Sequence, residues 1–254
     1  MGKSDAALIL FICSLFFSQL GQASEIKVSE SQSQDPLRIA VAANFKPVLE
    51  ELISRYNPKR PISVSTGSTG ALTAQVRHGA PYDILLAADV KRPEYLENLG
   101  LTRARRTYAY GRLAFWQPNA KAVSKTNLEE LSVAIAIANP RHAPYGNAAE
   151  EVILKTGNVR LKRVKGTNVA QAFSFVQTGN VGAGLVALSQ LRYNATAKDT
   201  YWVIPGDYHQ PIEQQAVVMR GADYRADAFL HFLDSTAARK VIRQAGYDLA
   251  DTYD

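Results

Sequence analysis

The chain has 254 residues, 46% hydrophobic and 20% charged, which is ordinary for a globular protein and enough for one large or two modest domains. Its formal net charge is +6, yet no five like charges run together, and RARR at 103–106 is the nearest approach, so nucleic-acid binding is not supported. The single cysteine, Cys13, lies in an apolar N-terminal run, so the chain beyond that run has no thiol and no disulfide.

Residues 1–23 have the layout of a cleaved signal peptide: Lys3, the apolar run ALILFICSLFF at 7–17, then GQA ending at Ala23. The run is shorter than the roughly 20 residues that span a bilayer, and Ile12 before Cys13 argues against a lipid anchor. Residues 24–36 are polar and serine- and glutamine-rich, a flexible leader, so folded structure is expected from Leu37.

From there strands and helices alternate. LRIAVA (37–42) reads as a strand, and the segment after it sets Val48, Leu49, Leu52, Ile53 and Tyr56 on one helical stripe. ISVS (62–65) precedes a helix over 71–78, DILLAAD (83–89) one over 91–99, and SVAIAIA (132–138) one over 147–156. Gly79, Gly100 and Gly157 stand where helix stops are expected. This rhythm predicts an α/β protein with mostly parallel sheets flanked by helices. Two longer extended stretches, 106–117 and 200–219, break the rhythm and read as crossings between two lobes. Lobe 1 is then 37–117 plus 216–254 and lobe 2 is 118–215, with hinges near 117 and 205–215 and a cleft between the lobes. The helical pattern of 222–246 is expected to pack back on lobe 1.

Three strand-to-helix turns are rich in small or donor residues: VAANF (41–45), STGSTG (65–70) and NPRHAPYGNAAEE (139–151). In these, Asn44 stands at a cap position, Gly67 and Gly70 permit close backbone approach, Ser68 and Thr69 add hydroxyl donors, and Tyr145 precedes a helix start near Asn147. A helix N-terminus exposes unpaired amides and about half a positive charge, so it holds anions without a charged side chain. Ordinary N-capping would need only one such hydroxyl.

Other chemistries are poorly represented. There is no GxxxxGK[ST] loop, no GxGxxG after a strand and no GxSxG. His78, His142, His209 and His231 show no metal-ligand spacing. Asp83 and Asp89 would lie roughly 20 Å apart along a strand, too far for one reaction centre, and are expected to cap loop ends.

Several segments, in order through nearly all of the chain after residue 36, resemble the extracytoplasmic molybdate-binding proteins of ABC importers. They are RIAVAANFKPVLEELISRY, STGSTGALTAQVRHGAPYDILLAAD, IANPRHAPYGNAAEEVI, TNVAQAFSFVQTGNVGAGLV and HQPIEQQAVVM. The resemblance implies a two-lobed periplasmic-binding-protein fold that closes on a tetrahedral oxyanion, molybdate or tungstate, held through its oxygens by neutral donors. Carried over by position, Asn44 and Ser68 bind from lobe 1 with their backbone amides, and Tyr145 and the Val169 N–H from lobe 2; Ala43, Gly67 and Thr69 are secondary. Ala187 stands where the family often has a tyrosine, and Tyr145 is placed to supply a hydroxyl instead.

The function implied is capture of the anion in the periplasm by a monomer and delivery to a membrane permease, with no cofactor and no catalysis. A donor-only site rejects protonated ligands, whose O–H finds no acceptor, and so disfavours phosphate. The alternatives are a binding protein for another oxyanion or a small carboxylate, and an exported dehydratase or lyase using Tyr145 or Asp89. The enzyme would need a carboxylate or histidine inside the cleft.

Overall fold

The computed structural model describes residues 35–250; the signal peptide read in 1–23, and the leader up to residue 34, lie outside the described residues. The first part alternates β1 (Leu37–Ala42), α1 (Lys46–Tyr56), β2 (Ile62–Gly67), α2 (Thr69–Arg77), β3 (Ile84–Leu86) and α3 (Lys91–Asn98). A long strand, β4 (Thr102–Gly111), is separated from β5 (Leu113–Trp116) by Arg112 alone. Then follow α4 (Lys125–Glu129), β6 (Ile135–Ala138), α5 (Pro144–Lys155), β7 (Arg163–Gly166), α6 (Val169–Gln177), β8 (Ala183–Ala187) and α7 (Leu188–Tyr193). The chain finishes with β9 (Tyr201–Val203), β10 (Ile212–Met219), α8 (Tyr224–Leu233) and α9 (Thr236–Gln244). Gly79, Gly100 and Gly157 end their helices at φ of +84°, +69° and +78°, a conformation that side chains with a Cβ rarely adopt.

The strands form two five-stranded sheets, ordered β2-β1-β3-β10-β4 and β7-β6-β8-β5-β9. Within each, the first three strands are parallel, and the fourth, running antiparallel, belongs to a crossing between the lobes. Helices α8 and α9 bury Phe229, Leu230, Val241 and Ile242 with Ile39 and Leu49 in the core of the first sheet. Phe115, Ile137, Val152 and Leu185 belong to a separate core on the second sheet.

The first crossing falls earlier than the sequence placed it. β5 pairs with β8 and β9, so the chain has entered the second lobe by Leu113, before residue 117. The stretch 200–219 is not one strand: β9 belongs to the second sheet, β10 to the first, and a 3-10 turn at Gly206–Tyr208 lies between them. β10 begins at Ile212, so the return is complete before 216.

Both lobes repeat one junction. The N–H of Ala43 donates to the Gly67 carbonyl at 2.9 Å, and the N–H of Asn139 donates to the Gly166 carbonyl at 2.7 Å. Each bond extends a parallel ladder one residue past its strand, and each glycine leads into a capped helix. The carboxyl ends of the parallel strands therefore face the cleft, where ligands of open α/β sheets bind.

Candidate functional site

Three helix N-termini meet at one cleft. Its lining holds the cap and first residue of α2 (Ser68, Thr69), of α5 (Ala143, Pro144) and of α6 (Asn168, Val169), with Tyr145, Ala88, Gly67 and the turn Ala42, Ala43, Asn44. Each helix is at least nine residues long, and each end carries about half a positive charge. The lining contains no Asp, Glu, His, Lys or Arg.

The local sequence explains each helix start. Ser68 caps α2, its Oγ accepting from the Ala71 N–H at 3.3 Å. A hydroxyl accepts and donates at once, so capping leaves the Ser68 hydrogen available to a ligand. Asn168 caps α6 by accepting from the Gln171 N–H at 3.0 Å, and the Gln171 side chain accepts in return from the Thr167 N–H at 2.6 Å. For α5 the helix begins at Pro144 rather than near Asn147, because proline has no N–H to lose at the first helical position. That shift makes the Tyr145 amide a first-turn donor.

Gly146, next in α5, has a structural duty. A Cβ there would stand 2.4 Å from the Ala138 carbonyl oxygen and 2.7 Å from the Pro140 nitrogen. Gly146→Ala is therefore expected to cost about 1–3 kcal/mol of stability, measured by urea unfolding.

The side chains of Asn44 and Tyr145 are engaged away from the cleft's donor set. Asn44 Nδ2 donates to Gln214 Oε1 and to the Tyr247 hydroxyl, each at 3.0 Å, and the Asn44 carbonyl lies 2.8 Å from Tyr247 Oη and accepts from Ser189 Oγ at 3.1 Å. Asn44 does not cap α1, whose cap position is Phe45. Tyr145 is 2% exposed, and its hydroxyl accepts from Gln214 Nε2 at 3.4 Å. With Tyr108, whose hydroxyl donates to Gln214 Oε1 at 2.9 Å, these groups form a buried neutral network. Burial pushes the tyrosine pKa values of Tyr108, Tyr145 and Tyr247 up, so all three stay protonated.

Residues 37–248 match the model of the family of bacterial extracellular solute-binding proteins. The chain belongs to that family. It is 38% identical over 229 residues to the molybdate-binding protein ModA of Azotobacter vinelandii, covering 84% of this chain and 90% of the relative. The ModA of Rhodobacter capsulatus is 36% identical over 223 residues, with 82% and 86% covered. The solved Azotobacter vinelandii periplasmic molybdate-binding protein has this fold at a TM-score of 0.78 and 33% identity, with 84% of this chain and 99% of that one aligned. These relatives are solute-binding proteins and not enzymes, and so is this chain.

In this solute-binding protein the residues singled out in the sequence divide by role. Asn44, Ser68, Tyr145 and Val169 come together in the cleft lining, as do Ala43, Gly67 and Thr69. Ala43 and Gly67 spend N–H and carbonyl on each other, and Thr69 Oγ1 accepts from the Ala88 N–H at 3.0 Å, so these three build walls. Asp89, one residue before the α3 cap position Val90, pairs with Arg92 and accepts from the Arg92 N–H at 3.1 Å, while Asp83 accepts from the Arg38 N–H at 2.7 Å. Ala187 is fully buried at the end of β8, its N–H donating to Gln190 Oε1 at 3.1 Å, and is absent from the lining. Asn168 was missed. Its signal was present in NVAQ (168–171), a cap residue followed three positions later by glutamine.

A roomier cavity of about 390 Å³ lies beside this lining, sharing Ala88 and Pro144 with it, and holds Asp89, Lys91, Arg92, Arg141 and Glu151. It is lined by charged side chains of both signs, whereas the smaller cleft has none.

Proposed function

We propose that this protein captures molybdate in the periplasm and delivers it to an ABC-type importer, with tungstate bound by the same donors. The observation that carries this reading is the meeting of three helix N-termini from two lobes at a cleft lined without any charged side chain. Its donors are the amides of Asn44, Ser68, Tyr145 and Val169 and the Ser68 hydroxyl. The names of the relatives from two organisms support molybdate in particular.

A dianion drawn into a closed cleft gives up its water, and each hydrogen bond left unreplaced costs about 1–3 kcal/mol. Fixed amide dipoles replace those bonds without burying a lysine or arginine, whose own desolvation would offset the attraction. Because every group in the set donates, a ligand that carries its own proton finds no acceptor. Phosphate, partly protonated at neutral pH, is rejected on that ground, which leaves size as the property that must separate sulfate from molybdate.

No lining group titrates near neutrality, and the buried tyrosines are held protonated, so molybdate affinity is expected to be flat from about pH 6 to about pH 9. Stability should instead fall above about pH 10, where tyrosines of the unfolded chain ionise and the buried ones do not. Calorimetric titration over that pH range reads the first, and thermal unfolding the second.

Titration of the protein lacking residues 1–23 with molybdate, tungstate, sulfate and phosphate tests the reading. One-to-one binding of the first two with little heat from the others is expected. Absence of binding to all four would overturn it.

A further inference from the structure

The second half of STGSTG does something other than hold the anion. Gly70 is the second residue of α2, where a free amide would be expected to join the donor set, yet its N–H donates to the His142 carbonyl at 2.9 Å, across the cleft. Arg92, at the start of α3 in the same lobe, donates from Nη2 to the neighbouring Arg141 carbonyl at 3.2 Å. Its Nη1 is paired with Asp89, which holds the guanidinium in place. Both side chains of that pair are mostly covered, 20% and 19% exposed. The two carbonyls lie three and four residues before Tyr145, at the end of the loop that delivers α5 to the cleft.

We propose that Gly70 and Arg92 form a clasp that closes on the 141–142 carbonyls and sets how long the bound anion is retained. This rests on the oxyanion-binding reading above. Neither residue belongs to the proposed donor set, so both are positioning residues: they hold α5 where its first amides meet the ligand, and their bonds must break before the lobes part.

The glycine is required by this closeness. A Cβ at residue 70 would stand 3.0 Å from the His142 oxygen, 3.1 Å from its Cα and 3.3 Å from Arg92 Nε. Two of those contacts are backbone, which yields less readily than a flexible side chain. Residue 70 is helical, so alanine fits its own backbone, and its two closest contacts are with the opposite lobe.

The test compares Gly70→Ala and Arg92→Gln with the unchanged protein. Equilibrium affinity for molybdate is measured by calorimetry. Dissociation is measured by chasing the loaded protein with excess tungstate and following retained molybdenum after rapid desalting. For Gly70→Ala the dissociation rate should rise by about tenfold, with the affinity falling in proportion, so that the association rate stays within about threefold. Its ligand-free melting temperature should be unchanged or higher, since alanine favours the helix over glycine. Arg92→Gln should speed release by about threefold. Unchanged release in both variants would overturn the clasp, as would faster release accompanied by a lowered melting temperature of the ligand-free protein. Failure of the unchanged protein to retain either anion would overturn the functional reading itself, and the clasp's role in retention with it.

Discussion

Val169→Pro is expected to weaken molybdate binding by about 10- to 100-fold, the effect of removing one hydrogen bond to a charged group. Proline deletes the backbone N–H and nothing else that the helix needs. Val169 is the first residue of α6, a position proline favours, and Asn168 before it is already extended at φ −150° and ψ 178°, as a residue preceding proline must be. The side chain is buried, and proline keeps most of its carbon skeleton, so a modest stability loss is expected beside a large binding loss. Calorimetry with molybdate, paired with urea unfolding of the ligand-free protein, separates the two. Unchanged affinity would remove α6 from the donor set.

The second large effect is expected from Ser68→Ala. This change deletes the one side-chain hydroxyl proposed to donate to the anion, and affinity should again fall by about 10- to 100-fold. The same hydroxyl caps α2, so about 1 kcal/mol of stability should go with it. The two losses are separable because capping uses the oxygen as acceptor and ligand binding uses the hydrogen. A stability loss without an affinity loss would reduce Ser68 to its capping role.

Together these variants probe both sides of the cleft. Ser68 follows a strand of the first sheet and Val169 a strand of the second. An anion held between them resists separation of the lobes, which links binding to closure.

What the sequence revealed, and what it hid, follows the range of each interaction. The βα rhythm was readable because its signals are local: helical stripes a turn apart, and glycines whose positive φ marks the stops at 79, 100 and 157. Ser68 was readable for the same reason, its capping partner being three residues away. The role of the Asn44 side chain was not, since its partners Gln214 and Tyr247 lie 170 and 203 residues further on. Nothing in VAANF indicates that both are waiting. The lobe crossing was displaced because Arg112 alone separates β4 from β5, so the two strands read as one extended run despite Gly111 at the junction. The start of α5 was placed late because Pro144 and Gly146 read as loop residues. In the fold one is a favoured first residue and the other a point of close packing. Val169 was reached by resemblance alone, although the Asn168 and Gln171 pair beside it was a local signal. Gly70 was read only as permitting close backbone approach, because sequence shows which residue lacks a Cβ but not which surface approaches it.

One anion is proposed to sit where the amide ends of α2, α5 and α6 meet. A crystal structure of the molybdate-loaded protein, with data collected at a wavelength where molybdenum scatters anomalously, tests it most directly. A single anomalous peak is expected in that cleft, with the anion's oxygens about 2.7–3.2 Å from the Asn44, Ser68, Tyr145 and Val169 nitrogens and the Ser68 hydroxyl. A peak in the neighbouring cavity, against Lys91 and Arg141, would contradict it.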